Sequence, residues 1–371
     1  MTFDLKSLLI VGAGFSWNAG LPLASGFTRE LLNLAGLRLD GPSARQVAFI
    51  RKFVDQAFAE GASGTSDDWP EMEEIFTMID LSANTGHHLG PKYSSSDLRV
   101  VRRAIIVRMI RMLSQAYRRR QNKPDRNWRT LERFFGEFDT ASSAVLSMNW
   151  DTVFERGIAR TQSIQNVEYG CGARTFHFED GKLKQRRLTE DPLHLLKPHG
   201  SVNWLYCDAC REMFWLPPDH TEQVAQTLFR KKDWQAIPGM AKLKPATVLK
   251  PLCPHCMGNS LGTRFATFSY RKALDFPMHA ASWRTAEEYL KSARDWIFFG
   301  YSMPAADFEF KYLLKRVQLS EQVRPRITVM RFTKFFGNVA KERSYFAGGL
   351  DRKAIGHLRK IGVLNTPTAS P

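Results

Sequence analysis

The chain lacks any apolar run long enough to cross a membrane. No stretch reaches the ~18 consecutive apolar residues that a transmembrane helix requires, and no internal repeat is present. The first six residues lead directly into an apolar segment, which leaves no room for a signal peptide. With 43% hydrophobic and 12% aromatic residues among 371, the composition excludes a disordered chain. We therefore expect a cytoplasmic globular protein with no membrane contact.

Acidic residues are too few to balance the basic ones. Lysine and arginine number 53 against 37 aspartate and glutamate residues, which gives a net charge of +16. The basic residues cluster at 118–120, 184–187, 230–232 and 352–353. Such a surface attracts anions, yet no DNA-reading motif accompanies it. Two interpretations stay open: a solvated basic face, or a surface that binds nucleic acid or an acidic partner.

A glycine-rich turn follows the first apolar segment. Residues 8–11 form an apolar run typical of a buried parallel strand, and Gly12 and Gly14 come directly after it. Two glycines at this spacing allow backbone N–H groups to approach a pyrophosphate, and Ser16 adds a hydroxyl. The third glycine of the dinucleotide fingerprint is absent, because Trp17 stands there. The turn predicts a phosphate site; the alternative is a glycine turn that serves packing alone.

Further apolar segments have the pattern of strands, and polar residues or glycine follow two of them. These segments are 145–148, before Asn149 and Asp151; 296–299, before Gly300 and Ser302; and 327–330. Helical spacing of apolar residues occurs over 40–60, 97–120, 127–138 and 282–294. In an open parallel sheet, ligands bind at the carboxyl ends of the strands. The sequence therefore predicts an α/β fold, a Rossmann-like doubly wound parallel sheet with a nucleotide site at that edge.

Four of the five cysteines form two closely spaced pairs. These are Cys207 with Cys210 and Cys253 with Cys256, separated by 42 residues. Two such pairs suit one tetrahedral zinc ion, and four thiolates leave no open coordination position, so the metal would be structural. His255 is an alternative ligand, and unrelated buried thiols or disulfides are an alternative interpretation of the whole set. Cys171 is left over, and we expect it to be a buried neutral thiol.

The order of these motifs resembles that of the sirtuin fold, and more closely its bacterial sirtuin-like branch. The motifs are Gly12–Ser16, Asn149-x-Asp151, Lys197–Ser201, the two cysteine pairs and Gly300–Ser302. The resemblance covers roughly residues 5–335. It implies a discontinuous nucleotide-binding domain over 1–203 and 263–335, an inserted zinc-binding module over 204–262, and a basic helical extension with a tail over 336–371.

The resemblance also implies NAD⁺ as the substrate and gives the site residues their roles. Asn149 would orient the ribose or a water, and His199 would act as base. From its residue type, Asp151 would orient Asn149 or favour the developing cation. The cofactor-binding set would be Gly12, Ala13, Gly14, Phe15, Ser16, Gly20, Asn149, Asp151, Gly300 and Ser302. Each choice has a structural alternative. His199 could belong to a turn, Asn149 could cap a helix over 151–158, and Asp151 could be an ordinary first-turn acid.

Bacterial members of this branch are commonly NAD⁺-depleting effectors of defence against phage, so the resemblance implies an NAD⁺ hydrolase. Residues 20–25 and 268–272 depart from the deacylase pattern. A protein-lysine deacylase and a non-catalytic nucleotide- or nucleic-acid-binding subunit remain the alternatives. The partners implied are further copies of the chain and a HerA-type ATPase or an Argonaute-like protein. Helix 99–120 and the C-terminal region are the expected assembly contacts.

Overall fold

A computed structural model describes residues 4–39, 41–58, 69–229, 231–240, 250–263, 277–304, 307–320, 325–330, 343–346 and 349–366. The strands are β1 (Ser7–Val11), β2 (Ser143–Ser147), β3 (Val167–Glu168), β4 (Arg174–Glu179), β5 (Lys182–Gln185), β6 (Leu193–Leu196), β7 (Trp204–Cys207), β8 (Met213–Trp215), β9 (Leu261–Gly262), β10 (Asp295–Phe299), β11 (Arg326–Met330) and β12 (Arg343–Phe346).

The helices surround these strands. They are α1 (Ala13–Ser16), α2 (Phe27–Leu31), α3 (Pro42–Phe58), α4 (Met72–Thr85), α5 (Ser95–Asn122), α6 (Arg126–Glu137), α7 (Val153–Gln162), α8 (Thr221–Leu228), α9 (Lys231–Ala236), α10 (Pro277–Ser292), α11 (Phe308–Ser320) and α12 (Arg352–Lys360). The helices predicted over 40–60, 97–120, 127–138 and 282–294 are confirmed as α3, α5, α6 and α10. Within the described ranges, no helix is both long enough and apolar enough to cross a membrane.

A parallel sheet forms the centre of the fold. Its strand order across the described residues is β12-β11-β10-β1-β2-β6-β3, and the pairs in it are parallel. The chain passes from β1 to β2 on one side and later returns to β10 on the other, so the order reverses between β1 and β10. Val11 pairs with both Phe299 and Ser147, which brings three strand ends level. The predicted α/β fold with a doubly wound parallel sheet is confirmed.

Apolar layers cover both faces of this sheet. Leu9 and Val11 belong to the larger layer, with helices α3 to α7. Leu8 and Ile10 belong to the smaller layer, with α10 and α11. A strand buried on both faces needs apolar side chains in both directions. This explains the uninterrupted apolar run in the sequence of β1.

Helix α5 connects the surrounding helices through its arginines. Its ion pairs join Arg102 to Asp80, Arg103 to Asp233 and Arg111 to Glu222, at 2.6, 2.6 and 2.7 Å. Arg108 is buried and donates to the backbone carbonyls of Leu31 and Asn33. These arginines therefore bind groups within the chain. An assembly contact at this helix remains a prediction.

A second sheet carries the cysteine pairs. Its order is β5-β4-β8-β7-β9, and β7 ends at Cys207. The segment predicted as an insertion, 204–262, supplies β7, β8 and β9. Strands β4 and β5 join the same sheet although they precede β6 of the central sheet. The small sheet is thus built from two stretches of chain.

The C-terminal segment adds to the central sheet. The sequence predicts a helical extension from residue 336; within it, β12 pairs in parallel with β11 and α12 follows. Arg359 of α12 donates to both carboxylate oxygens of Glu137, at 2.6 and 2.7 Å. Thr328 of β11 lies 2.9 Å from the imidazole of His357. Strand pairing and polar contacts therefore join this segment to the rest of the fold.

The backbones that follow β1 and β10 touch each other. The N–H of Gly14 donates to the Gly300 carbonyl at 2.8 Å. Gly300 has φ +62°, and a Cβ there would lie 2.2 Å from the Phe15 nitrogen and 2.3 Å from the Gly14 carbonyl carbon. No side chain fits such a gap, so glycine is required at this position for both its conformation and its size.

We expect Gly300→Ala to destabilise the fold by about 3 kcal/mol or more, since overpacking adds about 1–3 kcal/mol to the strain of a positive φ. Gly172→Ala is the matched control: Gly172 has φ +66°, but a Cβ at this position would have no atom within 4 Å. That variant should lose only about 1 kcal/mol, the conformational part. Thermal melting of both variants measures the difference. Equal losses would contradict the steric argument.

Candidate active site at the carboxyl ends of the central strands

Three predicted site residues meet in one hydrogen-bond chain. The amide Nδ2 of Asn149 donates to Ser16 Oγ at 3.0 Å, and Ser16 Oγ donates to Asp151 Oδ2 at 2.7 Å. Ser16 follows β1, and Asn149 and Asp151 follow β2. The ends of these two strands are level with each other. The parallel register therefore brings together residues more than 130 positions apart in the chain.

Asp151 also precedes helix α7 and binds its first residue. Its Oδ1 accepts a hydrogen bond from the Val153 N–H at 2.9 Å. The capping position of α7 belongs to Thr152, so the alternative role of Asn149 as a helix cap is wrong. Asp151 therefore binds two groups: the first N–H of helix α7 through Oδ1 and the Ser16 hydroxyl through Oδ2. Burial raises the pKa of Asp151, while the Lys197 ammonium and the bonds from Val153 and Ser16 lower it by less.

His199 lies beside this hydrogen-bond chain, in a buried turn. Its Nδ1 is 3.3 Å from the carbonyl oxygen of Met148, the residue before Asn149. Because a carbonyl only accepts, this contact places a proton on Nδ1. The other ring nitrogen, Nε2, faces Asp307 Oδ1 at 3.9 Å. Only 3% of the His199 surface is exposed, which keeps bulk water from the imidazole.

Asp307 and Tyr301 were not identified as site residues from the sequence. The Tyr301 hydroxyl donates to Asp307 Oδ2 at 2.6 Å, and both side chains are buried. Burial raises the pKa of Tyr301 well above its usual range, so this phenol stays a donor. The available signal was an acidic residue within the segment after β10. Asp307 is far from His199 in the sequence, so local pattern did not predict their contact.

The glycine turn uses its amide groups within the fold. The N–H groups of Gly12 and Gly14 donate to the carbonyls of Phe299 and Gly300, and that of Phe15 donates to Gly12. A Cβ on Gly12 or Gly14 would lie within 3 Å of the backbone at 300–301. Close packing of two loops is therefore one reason for these glycines, as the packing alternative expected. A phosphate contact here remains a prediction.

The remaining predicted cofactor residues lie in different surroundings. The Phe15 ring is buried among the rings of Phe134, Phe135, Phe154 and Phe299. Ala13 opens α1, and Ser302 is exposed after β10. Gly20 has φ +83° and lines an open groove of about 680 Å³ with Trp17, Arg119, Arg120 and Lys123. Asn149 and His199 do not line that groove.

The two arginines of this groove have acidic neighbours. Arg119 lies 3.7 Å from Glu30, and Arg120 forms a close ion pair with Asp125. Lys184, in another predicted basic cluster, pairs with Glu179 at 2.9 Å. These three basic residues thus have their charge balanced by a neighbouring carboxylate. Nucleic-acid binding by the basic surface stays a prediction.

The four paired cysteines form a cluster suited to zinc. The four sulfur atoms lie within 4.8 Å of one another, with Cys207 to Cys256 at 3.6 Å and Cys210 to Cys253 at 3.7 Å. Tetrahedral Zn–S bonds of ~2.3 Å place sulfur atoms ~3.8 Å apart. A disulfide would need sulfur atoms ~2.05 Å apart, so the disulfide alternative is wrong. These residues fit a structural zinc ion.

Local hydrogen bonds favour the thiolate of Cys207, whereas burial raises the pKa of Cys253 and raises that of Cys210 to about 12. Burial opposes ionisation of Cys207, but bonds from the Ser260 hydroxyl and the Cys210 and Ala209 amides lower the pKa of Cys207 to about 6. The His255 imidazole is not a member of the four-residue ligand cluster found among the described residues. Its backbone N–H donates to Cys253 Sγ at 3.4 Å. His255 therefore supports a ligand through its main chain.

Comparison with known proteins gives structural likenesses and no sequence match. No protein-family model matches the chain, and no curated protein matches it. Similar solved structures include a Sir2 enzyme, at 13% identity over 96% of this chain and 93% of that one, with a TM-score of 0.40. A Sir2–p53 peptide–NAD⁺ complex is 14% identical over 96% and 94%, with a TM-score of 0.39. A mutant Sir2 homologue with ADP ribose is 14% identical over 96% and 92%, with a TM-score of 0.38.

Removing one thiolate should remove the metal. We expect Cys253→Ala to lose bound zinc and to melt at a lower temperature, because structural zinc binding contributes directly to folding. Cys171→Ala is the control, since Cys171 is buried outside the cluster and burial raises its pKa to about 12. Metal analysis of the purified chains should find one zinc ion in the wild type and in the control. Retention of zinc by Cys253→Ala would contradict the assignment.

The raised pKa of Asp151 predicts a pH-dependent stability. The folded chain holds the carboxyl proton of Asp151 more tightly than the unfolded chain does, so the protonated carboxyl stabilises the fold. This stabilisation is lost as the pH rises from ~3.9 through the folded-state pKa of Asp151. Asparagine carries no such proton. The melting temperature of Asp151→Asn relative to wild type should therefore rise as the pH increases from about 4 through the folded-state pKa of Asp151. Asp180→Asn, the same change at an exposed site, is the control. A flat difference for Asp151→Asn would contradict the prediction.

Proposed function

We propose that the protein hydrolyses NAD⁺ at the bond between nicotinamide and ribose. Water is the acceptor, and the products are nicotinamide, ADP-ribose and a proton. The observation that carries this proposal is the Ser16–Asn149–Asp151 hydrogen-bond chain with His199 beside it. These residues lie at the carboxyl edge of a doubly wound parallel sheet, where such folds bind nucleotides. The order of motifs that resembles the bacterial sirtuin-like branch supplies the substrate class.

The direction of the hydrogen bonds gives Asn149 a defined role. Ser16 Oγ donates to Asp151, so it accepts from the Asn149 amide nitrogen. This fixes the orientation of the amide, which leaves its oxygen as the acceptor for a ribose hydroxyl or a water. An uncharged acceptor suits a transition state with positive charge on the sugar, because it orients the reactants without a strong competing ion pair.

His199 is the base in this proposal. Nicotinamide leaves as a neutral molecule, so the reaction needs no strong general acid, only a group that takes a proton from water or a ribose hydroxyl. The proton on Nδ1 is held by the Met148 carbonyl, which leaves Nε2 for this task. The Asp307 carboxylate, 3.9 Å from Nε2, stabilises the imidazolium that results.

The biological role follows from the chemistry and from the resemblance. Hydrolysis that needs no acylated peptide depletes NAD⁺, so we infer a role as an effector of defence against phage, as the resemblance implies. Such an enzyme needs control, and further copies of this chain, a HerA-type ATPase or an Argonaute-like protein are the partners that the resemblance suggests. The segment 268–272, which departs from the deacylase pattern, lies outside the described residues.

Nicotinamide release from NAD⁺ without any peptide tests the proposal. Asn149→Ala and His199→Ala should each lower the rate by about 10²-fold or more, the range for loss of an orienting group or a general base. Asn122→Ala and His88→Ala make the same changes at exposed positions and should retain the wild-type rate.

Two results would contradict the proposal. Release that requires an acylated lysine peptide would identify a deacylase. Binding of NAD⁺ without turnover in either condition, unchanged by Asn149→Ala, would identify a non-catalytic nucleotide-binding subunit.

A further inference from the structure

Lys197 is a fully buried cation within the loop that carries His199. Only 1% of its surface is exposed, and its Nζ donates to Glu155 Oε1 at 2.9 Å and to Ser201 Oγ at 2.8 Å. The third contact of Nζ is the backbone carbonyl of Asp151. A buried ammonium group is retained only where it is paired and its donors are satisfied. All three partners of this cation lie next to the candidate site.

The contacts of Lys197 join two loops that carry the candidate catalytic residues. The first loop is 149–151, after β2, and the second is 197–203, after β6. Beside the Lys197 contact, the Val202 N–H donates to the Trp150 carbonyl at 2.9 Å, and Ser201 Oγ donates to the same oxygen at 3.3 Å. Lys197 Nζ therefore binds one loop while its backbone belongs to the other.

Glu155 anchors this arrangement to the rest of the fold. Its side chain is 2% exposed and pairs with Lys197, and the same oxygen accepts from the Tyr169 hydroxyl at 3.1 Å. Asn203 donates to Tyr169 at 3.4 Å and to the Leu216 carbonyl at 2.7 Å. The network thus reaches from helix α7 to the sheet that carries the cysteine cluster.

We propose that Lys197, neutralised by Glu155, is a positioning residue that holds the Asn149 loop against the His199 loop. The kinetic part of this inference rests on the proposed NAD⁺ hydrolysis, whereas its structural part does not. A hydrophobic side chain could fill the same volume, but it could not hold the Asp151 carbonyl. A hydrogen-bond donor is required because the group to be held is a main-chain oxygen that lies away from water, and Lys197 supplies it.

Three variants separate positioning from general stability. Lys197→Met keeps an unbranched side chain and removes the charge, which leaves Glu155 buried without its cation. Lys197→Met combined with Glu155→Gln also removes that uncompensated charge and keeps an oxygen for Tyr169. Lys291→Met is the matched control, since Lys291 pairs with Glu287 at a similar 3.1 Å but at the surface, where such pairs contribute little.

Hydrogen exchange gives a readout that does not depend on activity. The reporters are the amides of Val202 and Val153, which donate to the Trp150 carbonyl and to Asp151 Oδ1. We expect both amides to lose protection in the single and the double Lys197 variants, while amides of β1 and β2 stay protected. The melting temperature should fall in the single variant and largely recover in the double variant. Wild-type protection at both reporters would overturn the proposal.

Kinetics provide the second readout. The double variant should lose about 10- to 100-fold in kcat with a small change in KM, because loop displacement disturbs the reacting ribose more than binding of the whole dinucleotide. Recovery of both stability and kcat in the double variant would show that Lys197 serves folding alone. If the wild type releases no nicotinamide, the proposed function fails, and the exchange experiment still decides the role of Lys197.

Discussion

The contact between the backbones of Gly14 and Gly300 is the constraint on which the rest of the structure depends. It lies where the strand order reverses, and it lets the loops after β1 and β10 meet without any side chain between them. Ser16 then begins its hydrogen-bond chain from a fixed point beside the end of β2. The close-packed interior tolerates no displacement of these loops. The need for glycine at these two positions thus affects the geometry of the site at the carboxyl ends of the central strands.

Two kinds of polar interaction are present at the carboxyl ends of the central strands. The Ser16–Asn149–Asp151 chain orients groups that face the proposed reaction. The Lys197–Glu155 pair lies behind it, almost wholly buried, and holds the loops that carry those groups. A buried ion pair is a poor source of stability, because the desolvation of both ions offsets their attraction. Its value here lies in fixing one arrangement of two loops, which is what a reaction between oriented groups requires.

Much of the fold could be predicted from local patterns. The apolar runs 8–11, 145–148, 296–299 and 327–330 are strands within one or two residues, because a strand buried on both faces must be apolar throughout. The cysteine spacing predicted the thiolate cluster, since two short turns present their sulfur atoms in pairs. The extent of the small sheet and strand β12 could not be predicted. Both depend on pairing between distant segments, which local pattern does not encode.

The sequence by itself determined which residues could take part in the chemistry: the polar residues at strand ends, the histidine turn and the paired cysteines. Only the tertiary structure decided which of them contact one another. It showed that Asn149 binds Ser16 and does not cap α7, that Asp307 faces His199, and that Lys197 reaches the Asp151 carbonyl. The physical reason is that a hydrogen bond depends on distance and direction between atoms. Those quantities arise from the register of the parallel strands and from the packing of their loops. The residues that they bring together are as much as 135 positions apart in the chain.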